Sequence, residues 1–155
     1  EWLDQEYYTV NLWQDKVKMA SGGEPELKPG EIVIVASSEG ETNIEYTPKV
    51  KTPKTAKGVT KKITLLQGQT YLIEAYTADA LSWNTDRSDL SGTHIKGDKP
   101  FAVLSGHTKG AYPQYPETMY NIKTDFIRNM LMEMILPTYH LAKEYISAVV
   151  VRGAY

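Results

Sequence analysis

The stretch Asp89–His107, DLSGTHIKGDKPFAVLSGH, constrains this chain more than any other. Asp89, Ser91 and Gly92 carry turn chemistry, because short polar side chains bond nearby backbone and glycine accepts positive φ. Thr93-His94-Ile95 then reads as a short strand, and Lys96-Gly97-Asp98-Lys99-Pro100 as a second turn. Pro100 pushes the residue before it toward extended geometry. That feeds directly into Phe101-Ala102-Val103-Leu104, an apolar run of strand length with no polar interruption. The expectation is a hairpin whose second strand is covered on both faces, with Ser105-Gly106-His107 as the next punctuation point.

Strand chemistry recurs along the chain. Glu6–Trp13 alternates aromatic, β-branched and polar residues. Glu31–Ala36 (EIVIVA) is a buried-strand signal that Glu39-Gly40-Glu41 is expected to turn back into Thr42–Thr47 as a hairpin. Lys62–Leu66 and Thr70–Tyr76 supply two more strands around Gln67-Gly68-Gln69, and Tyr145–Val151 another near the end. One segment has a different period. Ile122, Phe126, Ile127, Met130, Leu131, Met134 and Ile135 recur at three- and four-residue steps, which predicts a helix over about 122–135 that Pro137 stops. In that phase Met130 and Met134 face inward and Met132 outward. The fold class is therefore mainly β, a β-sandwich or propeller-like sheet module with one helix. Its expected core is Ile32, Val33, Ile34, Val35, Phe101, Ala102, Val103 and Leu104.

With 155 residues and 41% hydrophobic content the chain buries one core, so residues 1–155 read as a single β-rich module. A net charge of −2 excludes a dedicated nucleic-acid binder, which needs a strong basic excess. No apolar run reaches the length of a membrane-crossing helix. The absence of cysteine excludes disulfides and thiolate metal sites. A chain that begins at Glu1 with no leader-like segment is expected to be a mature or excised piece.

Few residues suggest chemistry. His94, His107 and His140 are the three histidines and share no metal-ligand spacing, so no metal is expected. Ser105 beside His107 lacks the G-x-S-x-G elbow and the geometry of a nucleophile and its base, so neither catalytic residues nor a cofactor are expected. Lys49, Lys51, Lys54, Lys57, Lys61 and Lys62 form one basic cluster on a loop. It is either a solvated, mobile hairpin tip or a site for a sulfated glycan or acidic partner. Tyr112, Tyr115 and Tyr120, interleaved with Pro113 and Pro116, either present flat amphipathic surfaces to sugar or protein or cap the core. The candidate binding residues are these three tyrosines with Lys49, Lys51, Lys54 and Lys57.

In its residues, the turn at 89–93, the phrase Lys99–His107 and the run Leu136–Tyr145 (LPTYHLAKEY) resemble the N-terminal domain of IgG Fc-binding proteins, extracellular mucus-type proteins with relatives on bacterial surfaces. The resemblance implies structural roles for Asp89, Leu90, Gly92, Pro100, Ser105, Gly106, His107, Pro137, Glu144 and Tyr145. It also implies a non-catalytic binding or adhesion module, extracellular or at the cell surface, whose partner is a protein or glycan. Relatives often carry cysteines just after the S-G-H phrase. Here Thr108-Lys109-Gly110 stand there, so rigidity at that point must come from packing.

The two ends of the chain resemble each other. Leu3–Tyr8 (LDQEYY) lines up with Leu141–Ile146 (LAKEYI), each followed by a strand-like run. The likeness is either chance or a repeat, in which case residues 139–155 hold the first strand of a following unit. On the second reading the alternative function is a structural subunit of a fibre or mucus-like matrix that associates with its own kind through terminal strands.

Overall fold

The computed structural model describes residues 3–11, 29–76, 89–110 and 129–140. Seven strands run through them: β1 (Asp4–Tyr8), β2 (Gly30–Ala36), β3 (Glu41–Thr47), β4 (Lys61–Leu66), β5 (Thr70–Glu74), β6 (His94–Gly110) and β7 (Asn129–Met134). A single 3₁₀ turn, Thr138–His140, follows. All the strands join one antiparallel sheet. The fold is mainly β, as the strand chemistry requires.

The long strand β6 organises the sheet. Phe101 pairs with both Ala36 of β2 and Asp4 of β1, and residues 94–96 pair with both β3 and β1. One side of β6 is therefore lined by β2 and then β3, and the other by β7 and then β1. β5 pairs with β2 and β4 with β3, which completes four antiparallel rows. Three rows break at the same level. Residues 37–40 separate β2 from β3, Gln67–Gln69 separate β4 from β5, and Asp98–Pro100 interrupt the pairing of β6 with that row. The breaks are bonded side by side: Gln67 N donates to Gly40 O (3.1 Å), Gly68 N to Ala36 O (2.7 Å), and the Ser37 and Ser38 hydroxyls to the Pro100 carbonyl (3.1 and 2.7 Å).

This line is a crease. The sheet folds over along it, so that β1, β3, β4 and the start of β6 face β2, β5, β7 and the rest of β6. Tyr46 of one half meets Tyr71 of the other, with ring centroids 5.7 Å apart and hydroxyls 3.2 Å apart. The far ends close through Tyr76 N on Lys51 O (2.9 Å) and Asn11 Nδ2 on Ser105 Oγ (2.9 Å). One folded sheet thus encloses its core as the two layers of a sandwich do. Tyr7, Ile44, Tyr46, Leu65 and Ile95 enter that core from one half, and Ile32, Ile34, Ile73, Phe101 and Val103 from the other.

Several expectations need correction. Glu39-Gly40-Glu41 does not make a hairpin: β2 and β3 both run antiparallel to β6, so the chain steps across the crease and continues. Lys96–Pro100 likewise bends one strand, His94–Gly110, rather than joining two. The expected core splits by strand parity. Ile32, Ile34, Phe101 and Val103 are fully buried, whereas Val33, Val35, Ala102 and Leu104 point outward and are half-covered. The helix over 122–135 fails where it is described. Asn129–Met134 is strand β7, paired with Leu104–Gly110, while residues 122–128 lie outside the described residues. Met130 and Met134 are exposed and Met132 is half-buried, the reverse of the expected phase, and strand period 2 puts all three on one face. What decides this is tertiary. A Cβ on Gly106 would come 1.9 Å from the Leu131 carbonyl oxygen, so only glycine lets β7 lie against β6 there.

Two predictions follow from the core. Val103→Asp places a carboxylate with no counter-charge at a fully buried position and should cost about 3 kcal/mol or more, measured as a lowered denaturant midpoint. Gly97→Ala puts a methyl 2.8 Å from the Phe101 ring at the crease and should cost about 1–3 kcal/mol of overpacking. A midpoint within error of the parent for Gly97→Ala would mean that the crease tolerates side-chain volume there.

Candidate functional site

The segment 89–93 is a knot of backbone and side-chain bonds. Asp89 Oδ1 accepts from Ser91 N (2.8 Å), and Gly92 takes φ +79°, the left-handed conformation that glycine adopts without strain. Thr93 N closes the turn on Leu90 O (3.1 Å), and Leu90 is fully buried. The chain after β1 is tied to it. Gly92 N donates to Thr9 O (2.7 Å), Thr9 Oγ1 to Leu90 O (2.8 Å), and Asn11 N to Ser91 Oγ (2.8 Å). Asn11 passes the connection on, its Nδ2 donating to Ser105 Oγ and to Glu31 O, both at 2.9 Å.

The second phrase is equally committed to structure. Ser105, Gly106 and His107 are all buried, so Ser105 has no open approach for a substrate. Pro100 gives its carbonyl to the crease, and Pro137 is buried with its carbonyl accepting from His140 N (3.0 Å). Glu144 and Tyr145 lie outside the described residues, as do Tyr112, Tyr115 and Tyr120. The three histidines stay apart. His94 sits on the outer face, His107 is buried, and His140 ends the 3₁₀ turn against the edge of Tyr139. Among the described residues, no three His, Asp or Glu side chains gather as metal ligands would.

The lysine loop is bonded rather than loose in its backbone. Thr52 N donates to Thr55 O (2.9 Å), Thr55 N to Thr52 Oγ1 (2.8 Å), and Gly58 N to Pro48 O (2.9 Å). This brings two of its cations over aromatic rings. Lys51 Nζ lies 3.9 Å from the Tyr76 ring centroid and Lys54 Nζ 4.7 Å from that of Tyr71, distances at which the ring quadrupole attracts an ammonium. Lys49 and Lys57 are exposed on the same loop. Two of the four candidate lysines therefore help close the open end of the folded sheet.

The outer face of β3, β4 and β6 carries an arrangement that local reading misses. Register places Glu6, Lys96, Glu45 and Lys62 across four adjacent strands, alternating in charge. Glu45 and Lys62 close to 2.7 Å. The hydrogen bond from Lys62, then its charge, holds the Glu45 carboxyl below the usual carboxylate range. Next to this row, Asp98 accepts from Asn43 Nδ2 and Asn43 N, both at 2.8 Å, and these bonds lower its pKa in the same order. Thr64 Oγ1 donates to Asn43 Oδ1 (2.9 Å). Asn43, Glu45, Lys62, Thr64, Lys96 and Asp98 together line an open concavity of about 660 Å³. At its flank, His94 Nε2 lies 2.7 Å from Glu6 Oε1 and its ring stacks on Tyr8 at 4.6 Å. The sequence signal was faint: Asn43, Glu45 and Thr47 alternate as polar residues in TNIEYT, but which lysine meets which glutamate is a matter of register.

At the opposite end of β2, Glu31 is buried and registers against Glu74. Burial first, and the neighbouring Glu74 charge second, push its carboxyl above the ordinary value. A carboxyl whose folded pKa exceeds its unfolded one binds its proton more tightly in the fold. Its stabilising contribution is complete below the unfolded value and is lost as pH rises through the folded one. Glu31→Gln should therefore raise the melting temperature at neutral pH, and the gain should vanish as pH falls below the carboxylate range. A gain of equal size at both ends of a pH series would remove the charge on Glu31 as its cause.

No curated protein and no solved structure matches the chain. A family model does, that of the IgGFc binding protein, over residues 1–154. The turn at 89–93, the creased β6 and the sealed Ser105–His107 lie within that match, and the chain belongs to the IgGFc binding protein family, a family of binding domains.

Proposed function

We propose that this chain is a non-catalytic binding module of the extracellular space or cell surface, and that it contacts a protein or a glycan. Its membership of a binding-domain family over nearly the whole chain carries the reading. The family name speaks of immunoglobulin Fc, which makes Fc one ligand to test. The chemistry of the described surface supports a polar ligand. The concavity on β3, β4 and β6 offers an amide, a hydroxyl, two carboxylates and two ammonium groups, held by strands rather than by loops. Such a set can meet the hydroxyls of a sugar or the polar groups of a protein surface. The exposed lysines Lys49 and Lys57 lie on the loop that leads into β4, and they add positive charge without making the face uniformly basic.

The reading is tested by passing Fc, a mucin-type glycoprotein and its deglycosylated form over the immobilised chain. Saturable binding to at least one is expected, and loss on deglycosylation would assign the ligand to glycan. Lys96→Glu reverses the central cation of the alternating row and should weaken that binding about tenfold or more, with a modest fall in melting temperature because the new carboxylate faces Glu6 and Glu45. Binding that persists unchanged in Lys96→Glu would place the contact elsewhere, and a chain that binds none of the three would overturn the reading.

A further inference from the structure

The outer face of β3, β4 and the start of β6 can be asked what kind of ligand it admits. Residues 94, 96 and 98 alternate outward on β6, with Ile95 and Gly97 buried between them. At the level of Lys96 lies the alternating row of Glu6, Lys96, Glu45 and Lys62. At the level of Asp98 lie Asn43 and Thr64, which register against each other. The exposed ring of Tyr8, stacked on His94, stands at the opposite corner. Ile44 and Ile63, which form part of the floor, pack toward the core.

The charges of this face cancel at short range. Two carboxylates, Glu45 and Asp98, and two ammonium groups, Lys62 and Lys96, line the concavity. Opposite charges alternate at the spacing of neighbouring strands, roughly 4.8 Å, so little field extends beyond them. An acidic ligand that reaches Lys96 also meets Glu6 and Glu45 on either side, and a basic one that reaches Glu45 meets Lys62 and Lys96. A protein partner needs an apolar or aromatic anchor at the centre of its contact, and the outward side chains there are all polar.

The Asp98 corner suits a ligand that both donates and accepts. Asp98 takes Asn43 N on Oδ1 and Asn43 Nδ2 on Oδ2, both at 2.8 Å, and Thr64 Oγ1 donates to Asn43 Oδ1 at 2.9 Å. These bonds fix the three side chains without exhausting them. An ionised carboxylate accepts at about four lone-pair sites, an amide nitrogen has a second hydrogen, and a hydroxyl that donates still accepts. Neighbouring hydroxyls of one sugar ring can donate to Asp98 and accept from Asn43, with no ordering of loops required.

We infer that this face binds an uncharged oligosaccharide, of neutral hexose or N-acetylhexosamine type, with Asp98, Asn43 and Thr64 holding ring hydroxyls and Lys96 donating to a further oxygen. Tyr8 gives the apolar face of a second ring an aromatic surface to lie against. The inference rests on the binding-module reading above and narrows its ligand from protein or glycan to neutral glycan.

The test titrates the full chain with lactose, N-acetyllactosamine, mannotriose and chitotriose, and with sialyllactose as the acidic counterpart of lactose, following backbone amide NMR shifts. At least one neutral sugar should shift the amides of Asn43, Thr64 and Lys96 saturably. Its Kd should change less than about twofold between roughly 0.05 and 0.5 M salt, because no net charge is neutralised. Asp98→Asn should weaken it about tenfold or more, and Thr64→Val about fivefold, the latter with the melting temperature kept because valine suits a strand. No shift at these amides with any neutral sugar, binding unchanged in both variants, or a sialyllactose that binds much more tightly than lactose and is released by salt would each overturn the inference. A chain that binds Fc and no sugar would remove this inference and leave the binding-module reading in place.

Discussion

Everything described depends on one strand bending without ending. β6 supplies hydrogen bonds to β1, β2, β3 and β7, so any distortion in it is imposed on the whole sheet. Its bend at Gly97–Pro100 is possible because Gly97 leaves room for the Phe101 ring and because Pro100 asks for no donor bond from a neighbour. The adjoining rows accommodate the bend with glycines of their own, Gly40 and Gly68, at φ +72° and +80°. A flat sheet of these strands would leave Ile32, Ile34, Ile44 and Val103 facing water. Creased, the sheet buries both of its inner halves against each other, and no second layer is required.

Because the crease joins the rows side by side, polar groups that would otherwise break a sheet are satisfied there. Pro100 O takes two serine hydroxyls, Lys99 Nζ reaches Glu39 O at 2.8 Å, and Asp98 clamps the backbone and side chain of Asn43. Two of these residues, Asp98 and Asn43, also line the outer concavity. Stability and surface chemistry are thus coupled on β3 and β6, whereas the buried Ser105–His107 phrase has no part in that surface. Those motif residues that lie among the described residues sit in turns, the crease and the core. They speak for the fold, and relatives are free to differ in what they hold on the outer face.

What the sequence conveyed, and what it hid, follows from this geometry. β2, β3, β4 and β5 were legible within a residue or two, because alternation and β-branching are local properties. Gly40, Gly68 and Gly97 were legible as breaks, but a break does not say whether the chain reverses or steps forward. That choice is made by β6, which is remote in sequence. The segment Asn129–Met134 is apolar at four of six positions and fits either period. Its strand state comes from the missing side chain of Gly106 on the facing strand. The alternating charges Glu6, Lys96, Glu45 and Lys62 were invisible for the same reason, since they come from four separate strands and meet only in register. Of the candidate lysines, Lys51 and Lys54 gave no local hint that Tyr76 and Tyr71 would lie beneath them.

β1 stands apart from the other rows in how it crosses the bend. Its pairing jumps from Asp4 opposite Phe101 to Glu6 opposite Lys96, so the ladder is interrupted at the point where the sheet bends. Side chains make up the difference. The Tyr7 hydroxyl donates to the Phe101 carbonyl and accepts from Asp4 N (3.0 Å), bridging the gap from within the core, and burial raises its pKa. A strand held by an anchor residue and a short ladder is less bound into its sheet than one paired along both edges, as β2, β3 and β6 are.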